Sequence, residues 1–259
     1  MHGLGNDFVI LDARQDEVAM TPQLARAIAD RRVGVGCDQL IVLQPSDRAD
    51  LAMDIWNADG SRAEACGNAS RCVVALTGAG MIETSGGLIG GSAQGAEIEV
   101  SIGEPRFDWQ SIPLAFPADT AQLPMAWDEL EHPVAVNVGN PHLVFFVPAI
   151  DEGRLAALGP VIENDAAFPE RINVNVAVVS DGRITLRTWE RGAGLTSACG
   201  TGACATAVAA IRQKKVASPV EVRMKGGALT ISWAPGEPVR MQGAATHVFD
   251  GEIDLEALG

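Results

Sequence analysis

The stretch that decides the fold is Asp54-Ile55-Trp56 followed by Ala65-Cys66-Gly67-Asn68, because the chain contains it twice. The second copy is Arg187-Thr188-Trp189 followed by Ala198-Cys199-Gly200-Thr201. The tryptophan, alanine, cysteine and glycine of the two copies are all separated by 133 positions. This period is far longer than that of solenoid repeats, so it indicates a duplicated domain.

A second landmark repeats at almost the same distance. Gly5-Asn6-Asp7-Phe8 corresponds to Gly139-Asn140-Pro141-His142 at an offset of 134 positions. We therefore predict an α/β (α+β) protein of two pseudo-symmetric domains, each a mixed sheet wrapped on a central helix. The N-terminal half is expected over 1–112, joined by a last strand at about 247–259, and the C-terminal half over 113–246.

Each copy reads as a strand, a Gly-rich loop and a helix. The strands are expected over 51–56 and 184–189, and the helices over about 68–78 and 201–212. A Pro-rich segment at 107–124 is expected to cross between the halves. Further strands are predicted at 134–138, 143–147, 174–179, 220–224 and 229–233, and further helices at 25–30 and 150–158.

Composition narrows the class of protein. The 259 residues carry a net charge of −14 at a pI of about 4.6, which argues against a nucleic-acid partner. No apolar run reaches the ~20 residues of a membrane span, and no export signal is recognised. Five cysteines, an odd number, are then expected to stay reduced in the cytoplasm. The sequence leaves a homodimer open.

The two repeated cysteines carry the chemistry. A helix N-terminus exposes unpaired N–H groups and a positive partial charge, which is expected to lower the pKa of Cys66 and Cys199. Two thiols facing each other could remove a proton from one face of a carbon and return one to the other. A pyridoxal phosphate route needs a Schiff-base lysine, and Lys214, Lys215 and Lys225 all lie away from the cysteine motifs. We expect no organic cofactor and no metal.

Seven motifs follow one another along the chain in an order typical of one family. With them the chain resembles the diaminopimelate epimerases over nearly its whole length. The motifs are His2-Gly3-Leu4-Gly5-Asn6-Asp7-Phe8, Gly36-Cys37-Asp38-Gln39, Asn57-Ala58-Asp59-Gly60-Ser61, Ala65-Cys66-Gly67-Asn68, Gly139-Asn140-Pro141-His142, Glu170-Arg171-Ile172-Asn173, and Glu190-Arg191-Gly192 leading to Ala198-Cys199-Gly200-Thr201-Gly202-Ala203-Cys204.

The resemblance implies the diaminopimelate epimerase-like fold and an isomerase that interconverts LL- and meso-diaminopimelate without a cofactor, for lysine and peptidoglycan synthesis. It implies Cys66 as proton donor and Cys199 as proton acceptor, with His142 and Glu190 tuning the thiols. Arg191 suits the distal carboxylate, because a guanidinium binds a carboxylate in a bidentate manner. The implied substrate-binding positions are Asn6, Gln39, Asn57, Gly67, Asn68, Asn140, Asn173, Glu190, Arg191, Gly200 and Thr201.

Other interpretations remain open at this point. A proline or hydroxyproline racemase would keep both cysteines but needs no clamp for a second carboxylate. A zinc module could use Cys66, Cys72, Cys199 and Cys204, although their spacing is unlike that of zinc knuckles. A redox module is a third interpretation, since two facing thiols could cross-link; we expect such a disulfide to be an oxidised, inactive state and not a function. Cys37, Cys72 and Cys204 are expected to be structural.

Overall fold

The computed structural model describes residues 1–16, 18–64, 66–95 and 97–258. The chain forms two compact units, Met1–Ser101 with Gly243–Gly259, and Ile102–Gln242. The domain bounds at residues 112 and 246 stay predictions. Ala65 of the first cysteine motif lies outside the described residues.

The first unit is a mixed sheet with two helices. Its strands follow the order β1-β2-β3-β4-β6-β7-β8, and β5 pairs with β4. The elements are β1 His2–Gly3, β2 Asn6–Asp12, α1 Pro22–Ala29, β3 Gln39–Gln44, β4 Leu51–Asn57, β5 Arg62–Ala63, α2 Gly67–Thr77, β6 Met81–Thr84, β7 Gly87–Gln94 and β8 Glu97–Ser101, with a 3-10 helix at Glu256–Leu258.

The second unit has the same plan and one additional hairpin. Its strands follow the order β11-β12-β13-β14-β16-β17-β18, β15 pairs with β14, and β9 pairs with β10. The elements are β9 Ala126–Trp127, β10 Leu130–Glu131, β11 Val134–Asn137, β12 Pro141–Phe146, α3 Glu152–Glu163, β13 Asn173–Ser180, β14 Arg183–Glu190, β15 Gly194–Thr196, α4 Gly200–Arg212, β16 Val220–Met224, β17 Gly227–Ser232 and β18 Arg240–Gly243.

The two sheets match strand by strand, in direction as well as in order. β2 runs parallel to β3 as β12 does to β13, and β4 runs parallel to β6 as β14 does to β16. The remaining equivalent pairs are antiparallel in both units. The predicted α/β class and internal duplication are therefore confirmed.

The helices that follow the cysteine motifs form as predicted. α2 ends at Gly78, whose φ of 72° is readily adopted only by a residue without a side chain, and whose amide bonds the Val74 carbonyl. α4 is rich in alanine and is buried over most of its length. It contacts β11, β12, β13, β14, β16 and β17, so it is the central helix of its unit.

Two expectations are wrong. Residues 247–258 form no strand: Thr246 makes an isolated bridge to His2, and beyond it Ile253, Leu255 and Leu258 attach the segment by apolar packing on the first unit. The predicted end of that strand, Gly259, lies outside the described residues. The segment 107–124 is no crossover between units, because it lies within the second one, where Ile112 and Leu123 are buried in the core.

The helices that flank the sheets have clear sequence causes. Thr21 caps α1 by accepting from the Leu24 amide, with Pro22 at the first helical position. Asp151 caps α3 in the same way through the Arg154 amide. Among the described residues, no helix is both long enough and apolar enough to cross a membrane.

Candidate active site

Cys199 is the N-cap residue of α4, in an extended conformation with φ −124° and ψ 108°. Its Sγ accepts from the Gly202 amide at 3.3 Å and lies 3.5 Å from the Thr201 hydroxyl oxygen. Only 4% of the residue is exposed. The start of the helix therefore directs two donors at one buried sulfur, an arrangement that favours a thiolate.

The net effect on this thiol is nevertheless opposite to our expectation of a lowered pKa. Burial raises the pKa of Cys199 well above its usual range, and the negative charge of Glu190 raises it further. Thr201 and Gly202 lower this pKa, but by less. The expectation for Cys199 was wrong because a sequence pattern locates a helix terminus but does not reveal how completely the sulfur is desolvated.

Glu190 ends β14 and lies close enough to Cys199 for its charge to raise the pKa of that thiol. Burial raises the pKa of the Glu190 carboxyl, while hydrogen bonds from Thr196 and Cys199 lower it. The Thr196 hydroxyl donates to its Oε1 atom. Glu190 is therefore the carboxylate next to the sulfur, held from its other side by β15.

His142 is linked to Cys199 by a path of three hydrogen bonds. Its Nε2 is 2.8 Å from Asn140 Oδ1, and Asn140 Nδ2 donates to Thr201 Oγ1 at 3.3 Å. The ring is fully buried, and this burial, with the charge of Arg191, lowers the pKa of His142 to about 3. His142 is thus neutral near pH 7 and reaches the thiol only through Asn140 and Thr201.

Two residues of this network were missed by the sequence analysis. Asn175 Nδ2 contacts His142 Nδ1 at 3.1 Å, and Thr188 Oγ1 donates to Asn175 Oδ1 at 2.9 Å. Asn175 follows Asn173 by two positions and Thr188 precedes Glu190 by two, so each shares a sheet face with a predicted site residue. That alternation of polar residues in a buried strand was the available signal.

Gly202 lies against the same network. A Cβ at this position would come within 2.6 Å of Asn175 Oδ1, 2.9 Å of Thr188 Oγ1 and 3.2 Å of Cys199 Sγ. Since real Cβ atoms essentially never approach another atom below 3.0 Å, an alanine would displace part of the network. Close approach therefore requires glycine here.

Asn173 and Arg191 form hydrogen bonds to other groups of the second unit. Asn173 Nδ2 donates to the Pro141 carbonyl and its Oδ1 accepts from the Arg191 amide, both at 2.9 Å. The Arg191 guanidinium donates to the Glu170 carbonyl at 2.9 Å. Asn173 is 3% exposed. Its contacts support the turn between β14 and β15, residues 191–193, which we call the Arg191 turn.

Glu163 of α3 supports the same turn and was also missed. Its carboxylate accepts from Trp189 Nε1 at 2.7 Å, the Gly192 amide at 2.9 Å and Arg171 Nη1 at 3.3 Å. Glu163 is 5% exposed, and a buried carboxylate is retained only where such donors compensate its desolvation. Glu163 lies on a helix far from Trp189 and Gly192 in the sequence, so no sequence motif pointed to it.

Cys66 is the N-cap residue of α2, with φ −146° and ψ 109°, and is partly exposed. Its Sγ is 3.9 Å from Asn6 Oδ1, which also accepts from Asn68 Nδ2 at 3.3 Å. Asn68 in turn accepts from the fully buried Arg71 at 2.8 Å. The structure thus brings Asn6, Cys66 and Asn68 together in the first unit.

Gln39 and Asn57 contact each other on neighbouring strands of this unit. Gln39 Nε2 donates to Asn57 Oδ1 at 2.9 Å, and Asn57 Nδ2 donates to Ser61 Oγ at 3.0 Å. Gly67 and Gly200 are the first helical residues after the two cysteines. The catalytic and substrate-binding roles of all these residues stay predictions.

The zinc reading finds no support within the described residues, where no group of three or more His, Cys, Asp or Glu side chains could hold a metal ion. Cys72 and Cys204 are fully buried, each inside the helix of its own unit. Burial raises the pKa of Cys72 to about 12, as expected for an inert core thiol.

A family model and known relatives match most of the chain. A family model described as diaminopimelate epimerase matches residues 1–107 and 134–248. The diaminopimelate epimerase of Rhizorhabdus wittichii is 62% identical, covering 100% of this chain and 96% of the relative. That of Sphingopyxis alaskensis is 61% identical, covering 100% and 97%.

Solved structures share the fold at low identity. A phenazine biosynthesis protein of the PhzF family from Bacillus anthracis has a TM-score of 0.64 at 15% identity, covering 94% of this chain and 92% of the other. A hydroxyproline epimerase from Agrobacterium vitis has a TM-score of 0.63 at 18% identity, covering 94% and 86%. The family model and the high identity of the whole-length relatives show that the chain belongs to the diaminopimelate epimerase family.

Proposed function

We propose that this chain interconverts LL- and meso-2,6-diaminopimelate by proton transfer at Cα between two cysteines, without pyridoxal phosphate. It would act in the cytoplasm, in the synthesis of lysine and peptidoglycan precursors. One observation carries the mechanism: Cys66 and Cys199 occupy the same position, the N-cap of the helix after β5 or β15, in two units of identical strand topology.

In one direction of the proposed reaction, the Cys199 thiolate removes the Cα proton. The Cα–H bond breaks, an S–H bond forms, and the electron pair remains on the carbon beside its carboxylate. The Cys66 thiol then gives its proton to the opposite face, and the reverse direction exchanges these roles. No proton or electron is gained or lost overall, because one thiol ends protonated and the other ends as a thiolate.

The raised pKa of Cys199 suits this task. A Cα proton is only weakly acidic, and a strongly basic thiolate removes it more readily than a weakly basic one. The cost is a small thiolate population at neutral pH. The negative charge of Glu190 adds to this cost, because it raises the pKa of the thiol; the same carboxylate is also a neighbouring acceptor to which the thiol proton can pass.

Each helix start also provides a binding site for the carboxylate beside the reacting carbon. The backbone N–H groups at Gly67 with Asn68 and at Gly200 with Thr201 lie in the first turns of α2 and α4. Such groups stabilise the negative charge that develops as the proton leaves. Arg191, whose turn is held by Asn173 and Glu163, would bind the distal carboxylate.

The test is deuterium incorporation at Cα in D2O, followed by mass spectrometry and chiral separation. We expect wild-type protein to exchange and epimerise LL- and meso-diaminopimelate, with and without removal of carbonyl-reactive cofactors by hydroxylamine. Loss of activity on that treatment would overturn the cofactor-free mechanism. Failure to epimerise either isomer would overturn the proposed function.

A proline or hydroxyproline racemase is the second candidate, since a hydroxyproline epimerase shares the fold. Those substrates have no second carboxylate, so the Arg191 turn would have no partner. We therefore expect no deuterium exchange into L-proline or trans-4-hydroxy-L-proline. Efficient exchange of proline together with none of diaminopimelate would favour this alternative.

A further inference from the structure

A buried chain of neutral polar groups lies behind Cys199. Asn175 is fully buried on β13, between β12 and β14. One of its amide hydrogens goes to the Leu143 carbonyl at 2.8 Å and the other to His142 Nδ1 at 3.1 Å. Its Oδ1 accepts from Thr188 Oγ1 at 2.9 Å.

The hydrogen bonds of Asn175 fix which nitrogen of His142 carries the proton. The Leu143 carbonyl can only accept, so the NH2 end of Asn175 must face it and therefore also His142 Nδ1. Nδ1 is then the acceptor nitrogen of the neutral ring, and the proton is on Nε2, which donates to Asn140 Oδ1. Asn140 Nδ2 donates to Thr201 Oγ1, which leaves the Thr201 hydrogen for Cys199 Sγ.

The first unit shows that the fold does not require this chain of groups. Strand register matches His142 with Phe8, which pair with Asn173 and Gln39 respectively. The pair Asn175 and Thr188 corresponds to Ile41 and Ile55. Apolar residues occupy the equivalent positions of the first unit, so the polar set is specific to the unit that contains Cys199.

We propose that Asn175 is a positioning residue for the Cys199 thiol: by fixing the Nε2–H tautomer of His142, it directs the Thr201 hydroxyl hydrogen at the sulfur. The kinetic part of this inference rests on the proposed function, whereas the tautomer part does not. Glu190 and Arg191 are the charged groups that act on Cys199 and His142 in this cluster, and Asn175→Leu replaces neither of them.

The test compares Asn175→Leu and Thr188→Val with Thr206→Val. The first removes the donor to His142 Nδ1, and the second removes the donor that holds the Asn175 carbonyl oxygen. Thr206→Val is the matched control, because it deletes a fully buried hydroxyl of α4 that has no hydrogen-bond partner within the described residues.

The first readout is the 15N NMR spectrum of the imidazoles, which is tractable with four histidines in the chain. We expect His142 to show the pure Nε2–H pattern in wild-type and Thr206→Val protein, and a mixed or inverted pattern in Asn175→Leu. The second readout is kinetic: we expect kcat to fall roughly 10-fold or more in Asn175→Leu and less in Thr188→Val, as for other groups that orient a reacting side chain. KM should change less than twofold.

Several outcomes would overturn the proposal. They are an Nδ1–H or mixed tautomer in wild-type protein, a kcat of Asn175→Leu equal to that of wild type, or an equal loss in Thr206→Val. If Asn175→Leu fails to fold by circular dichroism, Thr188→Val decides by the same two readouts. Wild-type protein that is inactive but has the Nε2–H tautomer would overturn the proposed function alone.

Discussion

The two cysteine sites have the same scaffold and different surroundings. Cys66 and Cys199 both cap a central helix, yet Cys66 is partly exposed and Cys199 is buried. The Cys199 site contains a carboxylate, Glu190, where the repeat places Asn57 in the other unit. Duplication thus preserved the position of the thiol while the groups that set its basicity diverged.

The two units differ at four corresponding strand positions. His142, Asn175, Thr188 and Thr196 of the second unit correspond by register to Phe8, Ile41, Ile55 and Ala63 of the first. One unit fills this layer with apolar side chains, whose burial stabilises the fold. The other fills it with hydrogen-bonded polar groups, which stabilise less but define donor directions.

The largest effect should come from removing either sulfur. We expect Cys66→Ala and Cys199→Ala each to lose epimerisation by at least about 10²–10⁴-fold, because each thiol serves as an acid or base on its own face of the carbon. Chiral chromatography of diaminopimelate measures this. Cys72→Ala, in the same helix as Cys66, should retain activity, and full turnover by either single variant would contradict the two-thiol mechanism.

Replacing the carboxylate should make the two sites more alike. In Glu190→Gln the negative charge next to Cys199 is lost, so the pKa of that thiol should fall, because the charge raises it in the wild-type protein. We expect kcat to drop about 100-fold, since the thiol also loses its neighbouring proton acceptor. Ultraviolet thiolate titration checks the first effect and steady-state kinetics the second. An unchanged thiolate titration curve would exclude this coupling.

Replacing Glu163 should affect substrate binding more than the chemical step. Glu163→Ala leaves Trp189 Nε1 and the Gly192 amide without their acceptor, so the Arg191 turn should loosen. We expect a several-fold rise in KM for diaminopimelate and a loss of roughly 1–3 kcal/mol in the free energy of unfolding. Urea denaturation and substrate titration measure these changes. A fall in kcat at constant KM would argue against a binding role.

The last expected effect concerns acid stability. The pKa of His142 is about 3 when folded and near 6.5 when unfolded. Below pH 6.5 the unfolded chain therefore binds a proton that the native state refuses, and stability should fall as the pH drops toward 3. The slope is about 1.4 kcal/mol per pH unit in that window. His142→Phe, which copies Phe8, should remove this contribution in urea melts at pH 5 and pH 7; an identical pH dependence would refute it.

Much of the fold could be predicted because its determinants are local. A cysteine motif that precedes an alanine-rich helix, a glycine that ends one, and an alternating strand can each be read from adjacent residues. The contribution of Glu163 could not be predicted, since its partners Trp189 and Gly192 lie far from it in the sequence, whereas Asn175 left only the alternation of polar residues in its strand as a signal. The rise in the pKa of Cys199 depends in the same way on burial, which no short motif encodes.

Gly202 shows how this specialisation restricts later change. Its counterpart in the repeat, Ala69, carries a methyl group, whereas at position 202 that methyl would collide with Asn175, Thr188 and the sulfur of Cys199. With the polar layer in place, a side chain at position 202 would displace part of it. The second half of the molecule is thereby committed to its chemistry, and an exchange of roles between the halves would require several substitutions at once.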